Sequence, residues 1–384
     1  MSVKFLQISD THLGYNQYGL KERGEDFFDV FKEAIDIAID EKVDFILHSG
    51  DFFHTSRPSN EVLLNAIDQL KRLKEANIPI FAISGNHDRG NQVRDISPLK
   101  ILENFGLNLV ENGSLYYEGI VISGLKYLSK VAIREHKGIK DFLEKILEKS
   151  PDKNALHLLM LHAEFEPFFP NSLNLNKEVP EGFDYIGIGH YHIPQKPFLM
   201  GNTTVLYAGS TEFTAYNEKE ENYPKGIHLI NYQDKEFDYK FLELKRKRPF
   251  IRINVEDNLE KLEKDLKEKL EESYEISDKK PVVILKGNVK NISYKDIYTL
   301  IEAKNFNEKV LHFNISLTNI FETESLVESL SDNKEEPIEY KLKEFLDDEN
   351  LYNHVIDVIA TLKTFDTTDE VKKYLKENPN LLDI

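Results

Sequence analysis

Short apolar runs alternate with amphipathic stretches from the amino terminus to about residue 240. The segments VKFLQIS, VDFILHS, IPIFAIS, GIVISG, ALHLLML and FDYIGIG are brief, rich in β-formers and bounded by Gly, Pro or Asp, which predicts strands. Between the early ones, EDFFDVFKEAIDIAIDE and NEVLLNAIDQLKRLKEAN repeat apolar residues at spacings of three and four, as amphipathic helices require. Strand, helix, strand in that order implies parallel pairing with helices packed on the sheet. Residues 1–245 are therefore expected to form a layered α/β domain, β-sheets flanked by helices.

The pattern changes near LELKRKRPF. Beyond it, PFIRINV, LEKLEKDLKEKLEESY, KPVVILKG, YKDIYTLIEA and KVLHFNIS fit a small α+β domain over residues 246–320. The polar stretch TESLVESLSDNKEEP reads as a linker, placed at residues 321–337. Residues 338–384 resume helical patterning, with Val355, Ile356, Ile359 and Leu362 on one face, and Thr367 with Glu370 forms a capping box at the start of a last short helix.

A chain of 384 residues, 40% of them apolar, is long enough for two or three domains with cores of their own. No apolar run approaches the length of a membrane span and no signal peptide is evident, so a soluble cytoplasmic protein is expected. Cysteine is absent, which fits a reducing compartment and removes thiolate ligands, so any metal must use His, Asp, Glu or Asn. The net charge of -18 argues against a generally basic nucleic-acid surface, although Lys245, Arg246, Lys247 and Arg248 form a local basic run. That run reads either as a solvated face between domains or as a phosphate contact.

The chemistry lies where the strands end. VKFLQISDTH leads into Asp10 and His12, two residues apart and so on one side of an extended chain. The second strand runs into Asp51 and His54, the third into Asn86 and His87, a later one into His162, and the next into His190 and His192. In open α/β sheets, sites form outside the carboxyl ends of the strands, so these residues are expected to meet at one edge. Asp10, His12, Asp51, Asn86, His162, His190 and His192 supply seven oxygen and nitrogen donors, too many for one tetrahedral zinc and enough for two ions sharing a bridge. Asp51 is the natural bridge, since a carboxylate has two oxygens and this one follows a glycine that permits close backbone approach. Two such ions would clamp a phosphate and activate water, which points to phosphate-ester hydrolysis. For any one of these histidines a packed structural role would be the default, but seven donors at five successive strand ends do not arise from packing needs. His48, His157, His228, His136, His312 and His354 fall outside the pattern and are expected to be structural.

Asp-x-His, Gly-Asp-x-x-His, Gly-Asn-His-Asp, a lone strand-end His and Gly-His-x-His, in that order over residues 10 to 192, resemble the calcineurin-like metallophosphoesterase superfamily. DTHLGYNQYGLKERGEDF and HSGDFFHTSRPS resemble more narrowly the Mre-eleven (SbcD-type) DNA double-strand-break repair nucleases, particularly the archaeal ones. The resemblance implies that one ion is held by Asp10, His12, Asp51 and His192 and the other by Asp51, Asn86, His162 and His190. It implies two manganese ions per subunit, with magnesium possible. His87 matches the histidine that stabilises the phosphate or protonates the leaving oxygen, and His54 the one that orients phosphate and duplex. From adjacency alone, Asp88 is expected to bind a ring nitrogen and fix its tautomer. The family's homodimer implies contacts by Leu63, Ile101 and Phe105, for which the alternative is burial in the monomer's own core. The small domain matches the family's DNA-capping domain. No phosphate-binding Gly-x-x-x-x-Gly-Lys-Ser/Thr loop occurs, and the family obtains ATP-driven motion from a separate Rad-fifty (SbcC-type) ATPase, for which Phe345, Val355, Ile359 and Leu362 are candidate contacts.

The reading is thus a manganese-dependent DNA nuclease, exonuclease on duplex ends and endonuclease on single strands. Two rivals stand beside it: a phosphoesterase for small substrates, and a scaffold that mainly tethers DNA ends.

Overall fold

The computed structural model describes residues 1–89, 96–217 and 219–319. The expected linker at 321–337 and helical segment at 338–384, with Phe345, Val355, Ile359 and Leu362, lie outside the described residues.

Two six-stranded sheets carry the first part of the chain. Strands β1 (Ser2–Ile8), β2 (Phe45–His48), β3 (Ile80–Ala82) and β4 (Leu107–Leu109) run parallel in the first. The second is built from β5 (Gly113–Tyr117), β6 (Ile120–Leu125), β7 (Leu156–His162), β8 (Tyr185–Gly189), β9 (Phe198–Met200) and β10 (Thr203–Tyr207), with β6, β7, β8 and β10 parallel. The chain then returns to the first sheet through β11 (Gly226–Gln233), antiparallel to β1, and β12 (Glu236–Glu243). The orders are β12-β11-β1-β2-β3-β4 and β5-β6-β7-β8-β10-β9. Helices α1 (Lys21–Asp40), α2 (Asn60–Glu75) and α3 (Leu99–Leu102) cover the outer face of the first sheet, and α4 (Lys130–Glu135), α5 (Lys140–Glu148) and α6 (Leu175–Glu178) that of the second.

The side-chain alternation of a strand explains the layers. In β1, Phe5 joins a core between the two sheets while Leu6 and Ile8 join the core under α1 and α2; in β7, Leu158 and Met160 face the intersheet core while Leu159 and Leu161 face α5. Both faces of each parallel strand are covered, so the strands read as unbroken apolar runs. Helices were expected on the sheets; that a second sheet occupies one face is the structure's addition. Phe5 stacks on Phe45 with ring centroids 5.1 Å apart and meets Tyr185 of the opposite sheet edge-on at 5.3 Å, a set worth about 1 kcal/mol per ring pair beyond area burial. At the amino end of α2, the Ser59 side chain accepts from the Val62 N–H at 3.3 Å and so caps the helix.

A third sheet has the order β13 (Phe250–Asn254), β14 (Val282–Val289), β15 (His312–Asn319), with α7 (Leu259–Ile276) and α8 (Tyr294–Ala303) between its strands. The chain divides into two compact units, one of 1–252, 265–284 and 304–314, the other of 253–264, 285–303 and the described residues from 315. The first contains both large sheets. In the second, the Asp257 carboxylate accepts from the N–H groups of Lys290 and Asn291 at 2.8 and 2.7 Å, which ties the loop after β13 to the end of β14.

Within the basic run, Lys245 and Arg246 are exposed and Arg248 is buried. Arg246 pairs with Asp36 at 2.8 Å, Lys247 pairs with Glu243, and Arg248, 7% exposed, places Nε 2.6 Å from Asp26. Asp26 also receives Arg23 at 2.7 Å and Lys279 at 2.9 Å. Burial would raise its pKa, but the bond from Arg248 and the charges of Arg23 and Lys279 hold it below the usual carboxylate range. Arg246, Lys247 and Arg248 thus pair with carboxylates of the first unit.

Ile101 is 46% exposed and Leu64, on α2, 56%, whereas Leu63 and Phe105 are half-buried against the first core. His157, on β7, puts Nε2 2.7 Å from the Asp152 carbonyl, and His48 puts Nε2 2.9 Å from Thr11 Oγ1. His228, on β11, puts Nε2 3.2 Å from the Ala208 carbonyl, with Nδ1 buried and unpartnered.

Burial pushes the His228 pKa down from 6.5 to about 4. A histidine held neutral in this way contributes fully above its unfolded value and loses that contribution as pH falls towards the folded value, a swing of roughly 3 kcal/mol. His228→Phe should therefore flatten the fall in urea midpoint between pH 6.5 and 4.5; parallel curves for the two proteins would contradict the assignment.

Candidate metal centre

The carboxyl ends of β1, β2 and β3 in one sheet and of β7 and β8 in the other meet at a single edge. Register keeps them level, since Ile8 pairs with His48, His48 with Ala82, and His162 with Gly189. Asp10 and His12, however, do not share a face by strand alternation. β1 ends at Ile8, and both residues have left-handed backbone, with φ of 51° and 42°. Asp51 (φ 53°) and His190 (φ 85°) share that conformation, which costs of order 1 kcal/mol or more per non-glycine residue. Strain gathered at one edge is held there by hydrogen bonds from Asp10 N–H to the Gly50 carbonyl and from His12 N–H to the Asp51 carbonyl, each 3.0 Å.

Asp51 is the centre. Its Oδ1 accepts from the His87 N–H at 2.8 Å, and its Oδ2 lies 3.3 Å from His162 Nε2 and 3.8 Å from His12 Nε2. One oxygen thus faces donors of two sets: Asp10, His12 and His192 on one side, His162 and His190 with Asn86 on the other. Glycines make room for it. A Cβ on Gly50 would sit 2.5 Å from His162 Nδ1, and one on Gly85 would sit 2.2 Å from Asp51 Oδ1.

The donor chemistry fits divalent cations. His12 Nε2 and His192 Nε2 are 3.2 Å apart, and His162 Nε2 and His190 Nδ1 are 3.3 Å apart, so within each pair at most one nitrogen can carry a proton. In three of the four rings the opposite nitrogen is engaged elsewhere: His162 Nδ1 donates to the Ser49 carbonyl at 2.8 Å, His192 Nδ1 meets Thr214 Oγ1 at 2.6 Å, and His190 Nε2 meets Glu164 Oε1 at 3.3 Å, while His12 Nδ1 is buried without a partner. Lone pairs are thereby turned inward, as metal ligation requires.

Electrostatics agree. Burial would raise the Asp10 pKa, but its bond to His192 and the charge of His162 bring it down to about 2; the same opposition, with His162 dominant, holds Asp51 well below the carboxylate range. Burial pushes His162 down, yet the Asp51 and Asp10 carboxylates win and bring it up to about 9. A proton on this histidine would balance the two carboxylates. His12 and His190 are lowered by burial, and His54 falls to about 4 through burial and the charge of His87.

The expectation for Asp88 is corrected. Its carboxylate accepts from the backbone N–H groups of Phe52, Phe53 and Gly85 at 3.0, 2.8 and 3.0 Å rather than from a ring nitrogen, so it braces the loops that present Asp51 and Asn86. Burial and the Asp51 charge push it up to about 7 despite those three bonds. The His87 ring is oriented instead by the His54 carbonyl, 2.8 Å from Nδ1.

A model of the calcineurin-like phosphoesterase family matches residues 3–194. The chain is 31% identical, over 97% of its length and 94% of the relative's, to the DNA double-strand break repair protein Mre11 of Sulfolobus acidocaldarius. It is 30% identical to the protein of that name from Saccharolobus solfataricus, over 97% of this chain and 98% of the other, and 34% identical to that of Methanococcus maripaludis, over 76% and 79%. The chain belongs to the calcineurin-like phosphoesterase family, in its Mre11 branch.

Sequence reasoning missed three residues of this Mre11-type centre. Glu164 and Thr214 orient His190 and His192, and Tyr15 stacks on His54 with centroids 3.7 Å apart. Glu164 follows the strand-end His162 by two residues, a signal that was present; Thr214 lies on a loop with no motif.

Loading the chain with a divalent cation at pH 8 should release about one proton, because the cation displaces the one on His162. Calorimetry in two buffers of different ionisation enthalpy measures it, and heats independent of buffer would contradict the picture.

Proposed function

We propose that the chain is a two-metal nuclease of DNA double-strand break repair, acting as exonuclease on duplex ends and endonuclease on single strands. The observation that carries this reading is the Asp51 carboxylate facing two convergent donor sets, in a chain similar along nearly its whole length to proteins named for that repair. Asp10, His12, Asp51 and His192 would hold one ion and Asp51, Asn86, His162 and His190 the other, with manganese favoured by oxygen and imidazole donors without thiolate and magnesium as a substitute. Such ions supply Lewis acidity to the scissile phosphate and to the attacking water.

The side chains do the rest. His87 directs Nδ1–H at the His54 carbonyl, so that as an imidazolium it would keep this bond and give the proton on Nε2 to the departing oxygen. His54, stacked between Tyr15 and His87 with centroids 3.7 and 5.0 Å away, has little rotational freedom and presents its ring to the phosphate. Residues 246–320 would act as the DNA-capping domain and residues 338–384, through Phe345, Val355, Ile359 and Leu362, as the seat of a Rad-fifty (SbcC-type) ATPase, with residues 321–337 as linker. The exposed Ile101, with Leu63 and Phe105 beside it, would form a homodimer contact that holds two DNA ends in one assembly. Among the described residues no helix is long and apolar enough to cross a membrane, and a cytoplasmic setting follows from the proposed substrate.

End-labelled duplex and hairpin DNA, incubated with manganese, magnesium or chelator beside a phosphomonoester, tests the reading. Manganese-dependent cutting of DNA is expected; phosphomonoester turnover alone would place the chain with the small-substrate enzymes. His87→Ala should lower DNA cleavage about 10²- to 10⁴-fold while manganese and DNA binding change little; persistent cutting would remove His87 from the mechanism. For the assembly, Ile101→Glu should convert dimer to monomer in light scattering, and truncation after residue 335 should abolish ATPase co-purification with DNA cleavage retained; an unchanged mass or unchanged co-purification would refute the corresponding contact.

A further inference from the structure

The two donor sets differ in charge. The His12 side has a carboxylate of its own, Asp10, beside the shared Asp51. The His162 side has Asn86 in the corresponding place, a neutral amide whose Oδ1 lies 3.1 Å from His162 Nε2 and 3.0 Å from His190 Nδ1. With oxygen and imidazole donors alone, two similar cations would be held by unequal charge, and the pair would fill unevenly.

Glu164 lies where it could correct this. Its Oε1 is 3.3 Å from His190 Nε2, on the far side of the ring from the donor set, so the imidazole joins a carboxylate to the metal-facing nitrogen. On the other side of the centre, His192 Nδ1 is met by the neutral Thr214 hydroxyl instead. The pattern is complementary: where the donor set has its own carboxylate the ring is backed by a hydroxyl, and where it has an amide the ring is backed by a carboxylate. Lys130, the first residue of α4, holds Glu164 Oε2 at 2.8 Å and leaves Oε1 to the histidine. Tyr127 and Phe169 flank the His190 ring with centroids 6.0 and 5.5 Å away, which limits its rotation away from Glu164.

We propose that Glu164 is a positioning residue that supplies the second negative charge to the His162/His190 side through the His190 ring, so that two divalent cations bind with comparable affinity. The inference rests on the two-metal reading above. It requires no contact between Glu164 and substrate. A carboxylate behind a ligating imidazole fixes its tautomer and raises its basicity, and loss of such a partner lowers metal affinity about 10- to 100-fold.

Manganese binding to the full chain, followed by calorimetry and by the electron paramagnetic resonance of a spin-coupled manganese pair, tests it without reference to activity. The unaltered chain should take up two ions and show the coupled signal. Glu164→Gln should keep one ion at unchanged affinity, weaken the other about 10- to 100-fold, and lose the coupled signal at manganese concentrations that saturate the unaltered chain. Lys130→Ala, which frees the carboxylate without removing it, should keep both ions. Two ions of unchanged affinity in Glu164→Gln would overturn the proposal, and so would equal loss in Lys130→Ala, because the effect would then belong to the surface ion pair. An unaltered chain that binds fewer than two ions would instead count against the two-metal reading itself. Circular dichroism of each variant separates these outcomes from misfolding.

Discussion

The Asp51 carboxylate sets the constraint on which the rest of this edge depends. It is buried, it faces the imidazoles of His12 and His162, and one of its oxygens is fixed by the His87 backbone N–H. A charge so placed is tolerable only if cations surround it, and the protein arranges for them by turning lone pairs inward from both sheets. The left-handed backbone at Asp10, His12, Asp51 and His190 is the local cost of that arrangement, and the intersheet core keeps the strand ends level while it is borne.

The layered sandwich also explains which parts of the chain were legible. Strands β1, β2, β3, β6, β7 and β8 stand out as continuous apolar runs because each is covered on both faces, and α1 and α2 because each is covered on one. The donors stand out because they follow those runs immediately. Sheet membership was not legible: β4 ends the first sheet by pairing with β3, and β5 begins the second by pairing with β6, although only residues 110–112 separate the two strands. Backbone handedness at Asp10 and His12 was invisible too, and spacing alone suggested strand geometry for what is a turn.

The error at Asp88 has a physical origin. Asp88 was judged by the histidine beside it, whereas it takes the backbone amides of Phe52 and Phe53, from the Asp51 loop, together with that of nearby Gly85. A polar side chain takes the nearest complementary group in space, and in a fold with long crossovers that group is seldom close along the chain. Glu164 belongs to the same class. Its value lies in the ring it backs, and that ring arrives from β8.

The central claim is that this edge holds two cations bridged by Asp51. Crystals of the full chain grown with manganese, measured at its absorption edge, test it most directly. The account predicts two anomalous peaks about 3.5 to 4 Å apart with Asp51 Oδ2 between them. A single peak, or two peaks that Asp51 does not join, would contradict it.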